Sequence, residues 1–106
     1  MPRIEFDGAC SQIAADLSVQ RLRAVERRES TSIVYNADER AYVLQPYGTK
    51  RPLPDAITSI TFPQVDFNSR GLIPSGHQIT IVLHGEGGRQ RSIAIAPAGR
   101  IKFVRP

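Results

Sequence analysis

The hydrophobic pattern of the chain changes period once, near Ser30. Before that point, residues 8–29 contain no proline, and Ile13, Leu17 and Ala24 recur at offsets of four and seven. That spacing defines one helical face, with Ala14 and Val25 on its flank. Arg21, Arg23, Arg27 and Arg28 mix with Asp16, Glu26 and Glu29 over the rest of the helix surface. Val19 and Leu22 break this separation, as in a helix that is covered from more than one direction. Its start has two readings: Asp7 as an N-cap, or Pro2 in the first turn.

After Ser30 the period shortens from about 3.6 to about 2, the alternation of a strand. Residues 31–35 and 40–45 are β-rich and flank Asn36-Ala37-Asp38-Glu39, which predicts a hairpin. Residues 46–54, punctuated by Pro-Tyr-Gly and Pro-Leu-Pro, read as a loop. Residues 57–62 form a short strand that Pro63 ends or places at an edge. Residues 65–67 form another, closed by Asn68-Ser69-Arg70-Gly71, where Gly71 suits a positive φ. In 78–84, Ile79, Ile81 and Leu83 share a face. In 90–96, Ile93 and Ile95 do so, and in 100–104, Ile101 and Phe103. These last segments, joined by Gly85-Glu86-Gly87-Gly88 and Pro97-Ala98-Gly99, predict three antiparallel strands. The expectation is one α+β domain over 1–106: a long N-terminal helix in 1–30 packed on antiparallel sheet built from 31–106. Strand order, and the division into one sheet or two, stay open.

Composition narrows the function classes. With 106 residues, 41% hydrophobic and 23% charged, the chain has material for one core and is not a disordered segment. The 8 Gly and 8 Pro mostly punctuate turns, which excludes a collagen-like repeat. No apolar run approaches the roughly 18 residues that cross a bilayer. Cys10 is the single cysteine, so an internal disulfide and a thiolate metal site are both excluded. The net charge of +4 is concentrated at the end: Arg89, Arg91, Arg100, Lys102 and Arg105 occur without an acid after residue 88. That stretch has two readings, a solvated strand face or a patch for nucleic-acid phosphates.

No catalytic, cofactor-binding or metal site is expected. The glycine cluster at 85–88 leads into a strand, so it lacks the helix N-terminus that a phosphate loop needs. His77 and His84 differ in strand parity and point to opposite faces. Ser11, Ser18, Ser30, Ser69 and Ser75 sit on the helix or in turns, and Asp38, Glu39, Asp55 and Asp66 do not converge. The chain is therefore expected to bind or assemble rather than to act as an enzyme.

Three stretches carry a family resemblance. Leu17, Arg21 and Ala24 match an L-x-x-x-R-x-x-A helix ending. Val65, Phe67 and Gly71 match I-x-F-x-x-x-G. Ile93, Ile95, Gly99, Arg100 and Ile101 match V-x-I-x-x-x-G-R-V, and Leu53-Pro54 precedes a strand. In this order the chain resembles the soluble part of type IV pilin-like proteins, in particular the H-class minor pseudopilin of type II secretion and the related minor pilins of type IV pili. The likeness covers nearly the whole chain, and the order of the motifs carries it more than any one of them. The departure is at the start. The family's basic leader, cleaved after glycine, and the apolar helix with a glutamate near its start have no counterpart. Met1-Pro2-Arg3-Ile4 resembles the position just after that apolar half. The expectation is a piece of a longer protein, with about 20 apolar residues directly before Pro2.

The resemblance implies a non-enzymatic subunit, without cofactor, held in the bacterial inner membrane by one N-terminal helix with this domain in the periplasm. Its partners would be the major pseudopilin, the other minor tip subunits and the secreted protein, in a short pseudopilus that exports folded proteins across the outer membrane. Ile13, Leu17 and Ala24 would join helix to head, and Arg21, Arg27 and Arg28 would face neighbours or solvent. The alternative is a minor type IV pilin that binds DNA. Related pilins carry a Gly-Arg-x-Arg signature. Gly99-Arg100-Ile101-Lys102 resembles it with Lys for Arg, and Gly88-Arg89-Gln90-Arg91 matches it one strand earlier. Arg89, Arg91, Arg100 and Lys102 are the candidate DNA or partner contacts.

Overall fold

The computed structural model describes the backbone of residues 2–104 and the side chains from Glu5 onward. Among the described residues one α-helix, α1 (Pro2–Arg27), is followed by eight strands, with a 3-10 turn at Glu86–Gly88. At about 1.5 Å per residue α1 is about 39 Å long, and the longest dimension of the chain is 41 Å. The helix therefore runs the length of the molecule. Its start follows the Pro2 reading; Asp7 lies inside the helix. Its end is a Schellman turn, in which Arg28 adopts a left-handed φ of 53° and Glu29 N–H donates to Ala24 O at 3.2 Å. Thr31 Oγ1 donates to Gln20 O (2.8 Å), tying the start of the first strand to the last helical turns.

The strands are β1 (Thr31–Asn36), β2 (Ala41–Gln45), β3 (Thr49–Pro52), β4 (Ile57–Thr61), β5 (Val65–Phe67), β6 (Ile79–Gly85), β7 (Gln90–Ile95) and β8 (Ile101–Val104). They form two four-stranded antiparallel sheets, ordered β3-β2-β1-β5 and β4-β6-β7-β8. The chain changes sheet three times: after β3, after β4 and after β5. Alternate residues of both sheets turn inward. Ile33, Leu44, Val65 and Phe67 from one sheet meet Ile81, Leu83, Ile93 and Ile95 from the other and a stripe of α1 in one core. Phe62, between β4 and β5, stacks on Tyr35 and tilts against Tyr42, with ring centroids 5.7 and 5.4 Å apart.

One segment differs from the sequence reading. Residues 46–54, expected as a loop, contain β3, paired with β2 from Ala41↔Pro52 to Leu44↔Thr49. Thr-Lys-Arg-Pro has almost no apolar signal because an edge strand needs only its backbone to pair. Its terminal proline is tolerated at the sheet edge.

Candidate assembly surface

The buried face of α1 is wider than the apolar residues alone indicate. Phe6, Cys10, Ile13, Leu17 and Ala24 enter the core, and two polar residues, Asp16 and Gln20, are buried in the same stripe. Asp16, assigned to the helix surface by its charge, is only 3% exposed. It accepts from Tyr42 Oη at 2.6 Å and from Gln12 Nε2 at 3.1 Å. Arg51 Nη2 donates to its Oδ1 at 3.5 Å, while Arg51 Nε lies 3.3 Å from Oδ2 without the alignment of a hydrogen bond. A carboxylate is tolerated at this depth because a phenol and a guanidinium meet it.

Gln20 ties the helix to the first sheet. Its Nε2 donates to Ser32 O (3.0 Å) and Gln45 O (2.9 Å), carbonyls of a facing residue pair on β1 and β2. Its Oε1 accepts from Arg23 Nη1 at 3.2 Å. Gln20→Leu keeps the volume and removes the donor from two carbonyls, so stability to urea should fall by about 1–3 kcal/mol. An unchanged urea midpoint would contradict this role.

The three stretches that carry the family resemblance meet at one place. Arg21 Nε donates to Gly71 O (3.2 Å) and its Nη2 to Ala98 O (3.4 Å). Gly71 and Gly99 both have left-handed φ, 76° and 90°. A Cβ on Gly99 would overlap the Gly71 carbonyl oxygen and Arg21 Nε, and one on Gly71 would approach Val25 Cγ2 to 2.9 Å. Both glycines thus combine a backbone that L-residues avoid with a lack of room. Arg21 stays exposed, and it also clasps the turns after β5 and β7 against the helix. Arg28 is exposed, while Arg27 and Arg23 lie over the Tyr47 ring, at 5.0 and 4.6 Å from its centroid.

Titration reflects this packing. Burial first, then the hydrogen bond to Asp16, raises the Tyr42 phenol above its usual 10.0. Burial also pushes the Cys10 thiol up from 9.0 to about 11. Both groups fold in their neutral, protonated forms. Their contribution is full below the unfolded-state values and is lost as pH rises through them. Stability is therefore expected to fall from about pH 9 upward. Tyr42→Phe with Cys10→Ser should flatten that fall in urea titrations at pH 8 to 11; an equally steep fall would contradict this assignment.

What the helix does not bury is as informative. Val19 (41% exposed), Leu22 (55%) and Val25 (45%) recur every three residues along the side away from the core. The Gly71 turn touches Val25, yet all three stay more than a third exposed. Beside this ridge runs an open groove of about 600 Å³ between α1 and the start of β8, lined by Ser18, Arg21, Leu22, Val25, Arg100 and Ile101.

The C-terminal cations fall into separate groups. Arg91, opposite Leu83, is on the face of Ile93 and Phe103, and its Nη2 lies 3.6 Å from Asp7 Oδ1. Arg89 is half-buried in the turn before β7 and, with Asp7 and Arg91, lines a small recess beside Phe6. Arg100 is at the opposite end of the β7–β8 hairpin, beside Arg21, and Lys102, opposite Ala94, points to the outer face. Phe103 has the inward parity of Ile101 but is 43% exposed, because β8 is an edge strand. The 85–88 cluster is a tight turn between paired strands. Gly85 in it abuts Phe6, where a Cβ would come to 2.6 Å from Cδ1. His77 is exposed beside a turn and His84 is on β6; among the described residues no three His, Cys, Asp or Glu side chains converge.

A molecule-long N-terminal helix laid on two antiparallel sheets is the type IV pilin-like α+β fold, as the resemblance in the sequence implied. Among solved structures the chain is similar to the type IV minor pilin FimU of Pseudomonas aeruginosa, with a TM-score of 0.81 at 21% identity over 97% of this chain and 90% of that one. It is also similar to the minor pseudopilin EpsH from the type 2 secretion system of Vibrio cholerae, with a TM-score of 0.75 at 12% identity over 96% and 98% of the two chains. At these identities the likeness is one of fold. No family model and no curated protein sequence matches the chain.

Proposed function

We propose that the chain is the head of a minor subunit in a type IV pilin-like filament, the pseudopilus of a type II secretion system. The observation that carries this reading is the likeness of fold, over nearly the whole length of both chains, to a minor pilin and a minor pseudopilin. The exposed ridge at Val19, Leu22 and Val25 supports a role in surface complementarity rather than in a reaction. In this reading the subunit sits near the filament tip, between the major pseudopilin and the other minor subunits, and takes part in export of folded proteins. No helix of the described residues is long and apolar enough to cross a membrane. The inner-membrane anchor in this reading is an apolar segment ahead of Pro2, with the head in the periplasm.

A second reading, a minor subunit of a type IV pilus, is favoured by the higher TM-score and identity to FimU than to EpsH. Deleting the gene in its host and measuring both secretion and surface pili distinguishes the two. Loss of secretion with pili intact supports the pseudopilus, and loss of pili with secretion intact supports the pilus. No change in either would overturn the filament role. DNA binding belongs to the second reading. The distance between Arg91 and Arg100 along the hairpin, and the pairing of Arg91 with Asp7, weigh against one phosphate track. Micromolar protein is expected to give no DNA mobility shift at moderate salt. A shift abolished by Arg89→Ala/Arg91→Ala would contradict that.

A further inference from the structure

Resting on the filament reading, we infer that the groove between α1 and β8 receives an acidic amphipathic helix from a different subunit. Val19, Leu22 and Val25 form a ridge of i, i+3 spacing, the form that packs beside another helix. The groove next to it is lined by half-buried Ile101 and by the exposed Arg21 and Arg100. Arg21 holds only backbone carbonyls, so its charge is not neutralised. Among the described residues no carboxylate lies within ion-pair distance of Arg21 or Arg100. A lining that joins Leu22, Val25 and Ile101 to two guanidiniums without carboxylate partners calls for an occupant that combines an apolar stripe with a carboxylate.

A second copy of this chain fits poorly. A two-fold contact centred on Leu22 would bring the Arg21 and Arg100 of one copy against those of the other, and each copy carries a net charge of +4. A head-to-tail copy, the contact that filaments use, is the competing occupant that the cross-link tells apart; the occupant proposed is another chain, acidic on the face it presents.

The test is Leu22→p-benzoylphenylalanine in the full-length protein in its host, with Ser59→p-benzoylphenylalanine on edge strand β4 as the control. Irradiation is expected to cross-link position 22 to a helical peptide of another filament subunit that contains Asp or Glu. Arg100→Glu should lower the yield about tenfold, and reversing the facing acid on the partner should restore it. Circular dichroism checks that the Arg100→Glu head stays folded. No cross-link at position 22, a cross-link to a second copy or to lipid, or a yield unchanged by Arg100→Glu overturns the inference. The filament fraction is assayed in parallel. If the protein is present there without the cross-link, the groove assignment fails alone; if it is absent, the filament reading itself fails.

Discussion

Gly99→Ala is expected to destabilise the head by about 3 kcal/mol or more, among the largest losses any single methyl can cause here. The left-handed φ of 90° costs an L-residue about 1–2 kcal/mol. The added Cβ must then displace the Gly71 carbonyl and the Arg21 side chain, both already in contact with the turn. Neither can move without opening the clasp between the helix and the turns after β5 and β7. Gly87→Ala is the matched comparison, since it has a φ of 71° and open space around its Cβ. It should lose only the backbone share. Equal losses for the two in urea unfolding would show that the crowding at Gly99 carries no weight.

The second large effect separates the two sides of the helix. Leu17, on the inner side of α1, is fully buried in the core, so Leu17→Ala should cost about 2–5 kcal/mol in unfolding experiments. Leu22, five residues on and 55% exposed, should cost less than about 0.5 kcal/mol when replaced by alanine. In the proposed filament the order is expected to reverse. Leu22→Ala should leave a folded head that incorporates poorly, whereas Leu17→Ala protein still folded at low temperature should incorporate normally. If Leu22→Ala were as unstable as Leu17→Ala, the ridge would belong to the core and not to assembly.

The fold was legible where burial follows apolarity. Ile13, Leu17 and Ala24, and the alternating triplets of β6 to β8, read directly as core because each face pairs with another apolar face. Asp16 and Gln20 did not read as core, since a single sequence does not reveal that Tyr42, Arg51 and two carbonyls wait for them across the sheet. Strand β3 was hidden for the opposite reason: an edge strand is held by backbone pairing and has no need of an apolar side. The separate motifs around Arg21, Gly71 and Gly99 were visible as patterns. Their meeting at one clasp depends on three changes of sheet that no local spacing encodes. Val19 and Leu22 read as irregular in the helix pattern, and the structure leaves both exposed; the proposed assembly role gives that irregularity a reason.

The most direct measurement is quantitative mass spectrometry of filaments isolated from cells that express the full-length protein with its neighbouring genes. The account predicts that this subunit co-isolates at a small, constant ratio to the major subunit, and that Leu22→Ala lowers the ratio while leaving the free head folded. Recovery only outside the filament fraction, whatever the expression level, would contradict it.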